Sequence, residues 1–137
     1  MLEFIAARGS ASFLQTPAWA RVKSEWRGER VGFYDGDELT GVGLILYRKL
    51  PKLPRYLAYL PEGPVLDWSR DDIAEHFDAL VTHVKKRQAF AVRIGPAVVH
   101  RIWGTKTIKT AIADDNITSL TEVEPDIVTP EGEHVCL

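Results

Sequence analysis

Cysteine is almost absent: Cys136 is the single thiol in 137 residues. No intrachain disulfide can form, and no thiol cluster exists for zinc or iron–sulfur chemistry, a usage that suits a reducing, cytoplasmic setting. A basic surplus is absent too. With 17 Lys and Arg against 19 Asp and Glu, and a pI near 6.1, the chain lacks the positive field of a dedicated duplex nucleic-acid binder. No stretch approaches the roughly 18 consecutive apolar residues of a membrane span. The opening Met1-Leu-Glu-Phe-Ile-Ala-Ala-Arg8 has neither the basic leader nor the apolar core of a secretory signal, so neither secretion nor membrane insertion is expected. His76, His83, His100 and His134 lack the spacing of a metal site. No metal is expected, and His76 and His83 are expected on the solvated flank of a helix. What is present is a 45% hydrophobic chain, enough at this length for one domain with its own core.

The pattern along the chain predicts a mixed α+β domain. Thr16-Pro17 reads as a helix start, and Trp19, Val22 and Trp26 recur at helical spacing, which predicts a short helix over residues 17–26. Arg30–Tyr34 and Leu39–Leu50 are β-rich runs separated by Asp35-Gly-Asp-Glu38, the chemistry of a hairpin turn. The second run is apolar on both faces and carries Gly41 and Gly43, as in a central strand with a bulge or close backbone approach. Tyr56–Leu60 follows as a short strand. Ser69-Arg-Asp-Asp72 has capping-box spacing with Trp68 and Ile73 as a hydrophobic staple. Ile73, Phe77, Leu80, Val81 and Val84 then form an apolar helical stripe that ends in Lys85-Lys-Arg87. Ala89–Ile94 is an apolar strand stopped by Gly95-Pro96, and a weaker helix is predicted near Thr105–Ala113. The acidic, turn-rich residues 116–137 read as a linker or extended tail after a domain spanning 1–115.

Two segments carry the chemistry. Phe13-Leu-Gln-Thr-Pro-Ala-Trp-Ala-Arg-Val-Lys23, with Trp26 beyond, places Gln15, Trp19 and Lys23 four apart on one side of the first helix. Lys23 at the edge of an apolar face either carries its ammonium to an anionic ligand or reaches to water with its stem over a ring. Trp19 and Trp26 are expected in the core. Tyr59-Leu-Pro-Glu-Gly-Pro-Val-Leu-Asp-Trp68 sets a strand end, a Gly-Pro corner and a carboxylate before a helix, the kind of loop where function concentrates. Asp67 suits binding or orienting an amine, or accepting its proton, and equally suits starting the helix. Pro64 supplies no N–H, so this corner is a poor cradle for the pyrophosphate of coenzyme A. Lys85-Lys-Arg87 either touches RNA or simply complements the helix C-terminus.

These two segments, together with the order of elements, resemble the two signature regions of the FemAB family of peptidoglycan-bridge aminoacyltransferases. The resemblance covers roughly residues 1–115 and implies the acyltransferase fold of the GNAT superfamily, with a mostly antiparallel mixed sheet flanked by helices, present here as the first of the family's two such halves. It further implies transfer of an amino acid from aminoacyl-tRNA to the stem peptide of a lipid-linked or UDP-linked muramyl precursor, at the cytoplasmic side of the membrane and with no cofactor. By the same resemblance Lys23 contacts the precursor and Asp67 lies near the acceptor, with Gly63 and Tyr59 completing the substrate-binding set. Glu62 stands where relatives often carry a basic or small residue, and Gly95 replaces an acid, so neither is assigned a role. A single half is expected to be inactive alone, peripheral membrane contact and a homodimer are left open, and the alternative is a non-catalytic module that binds a peptide or protein partner.

Overall fold

Gly36 makes the first turn of the sheet at φ +57°, a left-handed conformation that costs glycine little. It joins β1 (Arg27–Asp35) to β2 (Glu38–Lys49), antiparallel, with Arg27 opposite Tyr47 and Asp35 opposite Glu38. The computed structural model describes residues 1–8 and 11–129. β2 also pairs antiparallel with β3 (Tyr56–Leu60), Leu46 facing Tyr59. β3 pairs in parallel with β4 (Ala89–Ile94), Tyr59 facing Arg93. A parallel pair needs a crossover, and α3 (Ile73–Lys86) supplies it. The strand order is therefore β1-β2-β3-β4, a mixed α+β architecture as expected from the pattern. β2 is the central strand, and residues 40–47 are all buried. The register shifts between Phe33 and Tyr34, where the Thr40 hydroxyl donates to the Phe33 carbonyl at 3.2 Å. At Gly41 a side chain would overlap Leu66, so this glycine serves a close approach.

The chain divides into two compact units, Met1–Asp67 with Asp71–Ala97, and Trp68–Arg70 with Val98–Leu137. In the first, α1 (Leu2–Ala6) and α2 (Pro17–Val22) precede the sheet. α2 is shorter than predicted, because Lys23 takes a C-cap conformation outside the helical region and Trp26 lies beyond it. In the second, β5 (Arg101–Ile102) pairs with β6 (Ile127–Val128), and α4 (Thr105–Ile112) lies between them in sequence. The Asp126 carboxylate accepts the Gly104 N–H and the Thr107 hydroxyl at the start of α4, and these hydrogen bonds hold its pKa down. His134 and Cys136, with the rest of residues 130–137 of the expected tail, lie outside the described residues.

Of the stripe on α3, Ile73, Leu80 and Val84 are buried and Phe77 and Val81 are half-buried. Two expectations about this helix are corrected. Asp72 is the N-cap and makes no side-chain cap bond, so the box beginning at Ser69 is not the helix start. The Asp72 carbonyl instead accepts the Glu75 N–H at 3.0 Å and lies 3.2 Å from His76 Nδ1. His76 is therefore no solvated histidine. It is 9% exposed, with Nε2 3.1 Å from the Thr40 hydroxyl and its ring against Phe33. His83 is half-buried, with Nε2 3.2 Å from the Glu29 carboxylate.

Glu29 ties the far end of α3 to the sheet. Arg87 donates to it through Nη2 at 2.7 Å and Nε at 3.1 Å, and the buried Tyr47 hydroxyl donates at 2.8 Å. Burial pushes the Glu29 carboxyl up, but the hydrogen bonds from Arg87 and Tyr47, with the His83 ring beside it, outweigh it and hold the pKa at about 2, below its ordinary 4.5. Burial and the Glu29 carboxylate together push the Tyr47 phenol well above its usual range. A carboxylate with a depressed folded pKa contributes stability above its unfolded pKa and loses it as pH falls toward the folded one. Stability is thus expected to decline from pH 4.5 toward about 2 as Glu29 protonates. In urea titrations across that range, Glu29→Gln should be less stable than the wild type at neutral pH and show a flatter acid limb. Parallel limbs would assign the acid sensitivity elsewhere.

Candidate substrate-binding site

The two signature segments meet at one side chain. Ser12 caps a single 3-10 turn, Phe13–Gln15, by accepting the Leu14 N–H at 3.1 Å. The Thr16 hydroxyl donates back to the Phe13 carbonyl at 2.7 Å, and Pro17 then opens α2. This turn directs Gln15 inward, where it is 0% exposed. Its Nε2 donates to the Pro61 carbonyl at 2.5 Å, and its Oε1 accepts the Leu44 N–H at 2.8 Å. Such a doubly used amide satisfies one backbone donor and one acceptor that burial would otherwise strand. Gly63 packs against the same carboxamide, and a Cβ there would overlap it. Val65 rejoins the sheet by exchanging backbone bonds with Val42 at 3.0 and 2.8 Å.

The register decides which face the predicted residues share. A Cβ on Gly28 would approach Ala20 of α2 and the Leu44 and Leu46 side chains, so α2 covers the face that carries Leu44 and Leu46. Tyr59, directly opposite Leu46, belongs to that face. Its ring lies 6.3 Å from the Trp26 ring, with the Arg93 guanidinium 5.6 Å from its centroid. Arg48 stands 5.6 Å from the Trp26 ring. Trp26 in turn is linked to Lys23, whose carbonyl accepts its N–H at 2.9 Å. The Lys23 ammonium sits 5.4 Å from the Trp19 ring, and Phe13 meets Trp19 edge-on at 5.6 Å. Cations over ring faces in this range attract the ring quadrupole.

The structure thus brings Lys23 and Tyr59 together through Trp26, and fixes Gly63 through Gln15. Trp19 and Trp26 are half-buried, rims of this face and not core residues as expected. Asp67 is exposed, two residues past the Val65 bridge. It precedes the helix start by six residues, so it is not a first-turn acid of α3. Arg48 and Arg93 were missed in the sequence. Their signal lay in the strand register, since Arg48 and Leu46, two apart, share a face, and Arg93 pairs with Tyr59. The cavity of about 590 Å³ in this unit lies on the opposite face, between β1 and α3. None of the four predicted residues lines it.

The fold and these two joined segments define a relative of the Fem transferases. The FemAB family model matches residues 2–123, and the chain belongs to the FemAB family. It is 34% identical over 98 residues to the lipid II:glycine glycyltransferase of Staphylococcus saprophyticus, covering 69% of this chain and 24% of that protein. Against the enzyme of the same name from Staphylococcus haemolyticus it is 35% identical over 98 residues, covering 69% and 23%. The crystal structure of FemX superposes with a TM-score of 0.63 at 29% identity, covering 81% of this chain and 28% of that one. The chain therefore spans about a quarter of the length of the curated relatives it matches.

If Gln15 is the clamp between the segments, Gln15→Leu strands two buried backbone groups and should cost about 2 to 4 kcal/mol. Gly63→Ala should cost a similar amount by displacing the same carboxamide, so the double variant should fall well short of the sum. Urea unfolding of all three variants measures this. Simple additivity would mean that the two residues act independently.

Proposed function

We propose that this chain supplies the precursor-binding part of an aminoacyltransferase that moves an amino acid from aminoacyl-tRNA to the stem peptide of a peptidoglycan precursor. The observation that carries the reading is the family match over residues 2–123, which takes in both signature segments, beside 34–35% identity to enzymes named lipid II:glycine glycyltransferase. The reaction is an aminolysis. The acceptor amine attacks the aminoacyl ester carbonyl, a C–N bond forms, the C–O bond to the ribose breaks, and the released hydroxyl keeps the proton that the amine gives up. The balance involves no change of oxidation state.

Within that reaction Lys23 meets an anionic group of the precursor, its stem supported by Trp19. Tyr59 and Gly63 shape the wall beside it, and Asp67 orients the attacking amine or takes its proton. The aminoacyl-tRNA is held by other parts of the enzyme or by a second copy, so this chain alone binds the precursor without turnover. A lipid-linked precursor would bring the site to the inner face of the membrane. No helix among the described residues is long and apolar enough to cross it.

Calorimetric titration with a soluble UDP-linked muramyl pentapeptide tests the reading. Binding is expected, with Lys23→Ala and Asp67→Ala each weakening it about tenfold, the loss of roughly one charge-assisted contact. No detectable affinity sinks the assignment, and unchanged affinity in both variants sinks the residue roles. Thermal stabilisation by coenzyme A in place of the precursor would point to a small-molecule acyltransferase.

A further inference from the structure

Three stretches of the chain meet at one end of the sheet. β1 begins at Arg27, opposite Tyr47 near the end of β2, and Lys49 lies opposite Tyr56 at the start of β3. The loop between β2 and β3 is closed by the Leu50 N–H, which donates to the Arg55 carbonyl at 2.9 Å, and the Tyr56 N–H donates to the Gln88 carbonyl at 3.1 Å, just past α3. Residues 25–29, 47–56 and 83–91 thus converge. They hold eight of the 17 Lys and Arg but, of the 19 Asp and Glu, only Glu25 and Glu29. In a chain whose net charge is -2, that sorting makes this end a positive field of its own.

The charge is not spent internally. Glu29 is taken by Arg87, while Lys49, Lys52, Arg55, Lys85 and Lys86 are exposed and pair with no acid among the described residues. Arg27 rests on the rings of Tyr47 and Tyr56, 4.7 and 5.2 Å from their centroids, a contact that steadies the guanidinium without neutralising it. The loop itself projects, since residues 51–55 are all exposed. Lys52 turns it at φ +66°, and at its tip Leu53 is 55% exposed. Phe90, at the start of β4, is 54% exposed.

The shape and chemistry of this end select its partner. Small ligands take concave sites, and none of these cations lines the cavity under α3. Single-stranded nucleic acid is held by open rings that stack on its bases; here Tyr47 is buried, Tyr56 lies under Arg27 and the projecting tip is aliphatic. An apolar side chain standing out from a ring of long cationic stems suits a surface with phosphates outside and hydrocarbon beneath.

We propose that this end of the sheet docks on an anionic lipid bilayer. Leu53 enters the boundary between headgroups and acyl chains, and Lys49, Lys52, Arg55, Lys85 and Lys86 meet lipid phosphates around it. A laterally extended surface is what lets the loop and the end of α3 engage at once. Docking here also brings the face of Lys23 and Arg48, which begins one residue from Lys49, beside any lipid-linked precursor. Vesicle binding itself does not rest on that reading, because it is measured without precursor.

The test is co-sedimentation of the 137-residue chain with vesicles of phosphatidylcholine alone or mixed equally with phosphatidylglycerol. The anionic vesicles should bind at least tenfold more tightly and release the chain as salt rises. Lys52→Glu with Arg55→Glu should lower that affinity by about tenfold or more. Leu53→Ala, an exposed loop substitution that leaves the core untouched, should lower it about fivefold without changing its salt dependence. Lys106→Glu with Lys109→Glu makes the same change of net charge on α4 and should leave vesicle binding as it was. None of these variants should alter titration with the muramyl pentapeptide, so loss of vesicle binding with that titration intact overturns the docking surface alone. Equal binding to the two kinds of vesicle, unchanged affinity in Leu53→Ala, an equal loss in the α4 variant, or an RNA hairpin that displaces the vesicles and binds more tightly would each overturn the proposal.

Discussion

The carboxamide of Gln15 is the contact on which the rest of the first unit depends. β2 pairs with β3 from Leu46 onward and with Val65 at Val42. Between those points the chain leaves the ladder at Leu60 and runs through Pro61-Glu-Gly-Pro64. Leu44 is thereby left facing a gap in the most buried strand of the fold. A buried N–H without a partner costs about 1 to 3 kcal/mol, and water is excluded where Leu44 is 1% exposed. Gln15 fills the gap from another segment, with one atom toward Leu44 and the other toward Pro61. The same bonds anchor the 3-10 turn from which α2 departs. The position of Lys23 is thus set eight residues upstream, and Gly63 must lack a side chain for the clamp to close.

The parity of the β1–β2 register gives the sheet two chemically different faces. Leu44, Leu46, Arg48, Tyr59 and Arg93 fall on the α2 side and build a row of cations and rings. Glu29, Phe33 and Tyr47 fall on the α3 side, where carboxylates and histidines gather. A slip of one residue would exchange these sets. The register is held by the Thr40 hydroxyl at the bulge and by Glu29, which receives Tyr47 from the neighbouring strand and Arg87 from the helix. One ion cluster therefore supports both the helix packing and the sorting of charge between faces.

Much of the sheet was legible in the sequence, because β-rich runs, the Asp35-Gly36 turn and the α3 stripe are local signals. The pairing of Gln15 with Leu44 and Pro61 was not. It joins residues 29 and 46 positions apart, and a glutamine before a proline-started helix reads locally as a polar surface residue. The histidines failed for a related reason. His76 follows Ile73 by three, so the helical period places it on the buried face, yet its burial depends on Thr40 across the sheet to receive Nε2. The start of α3 was misplaced because Ser69 and Asp72 have the composition of a cap, while the turn at Asp72 actually forms around its carbonyl. Lys23 and Tyr59 are singled out separately, each by its own segment. That they share one face required Trp26, which ended up outside the helix expected to contain it.

The Gly-Pro corner constrains what kind of group an anion could find on this wall. Glycine-rich loops bind phosphates by pointing successive N–H groups at them. Here the Gly63 N–H points to the Leu60 carbonyl at 3.4 Å, Pro64 has none, and the Val65 N–H is taken by Val42 at 2.8 Å. The three consecutive positions where a cradle would be built have no donor to give. An anionic ligand on this face must therefore be met by side chains, and those nearest to hand are the ammonium beside Trp19 and the guanidinium groups beside Trp26 and Tyr59. Such cations rest on long flexible stems steadied by rings, so the aromatic residues are what give direction to the charge. The loop contributes shape. The positive charge comes from Lys23, on the segment that Gln15 fastens to it, and from Arg48 and Arg93 on the sheet.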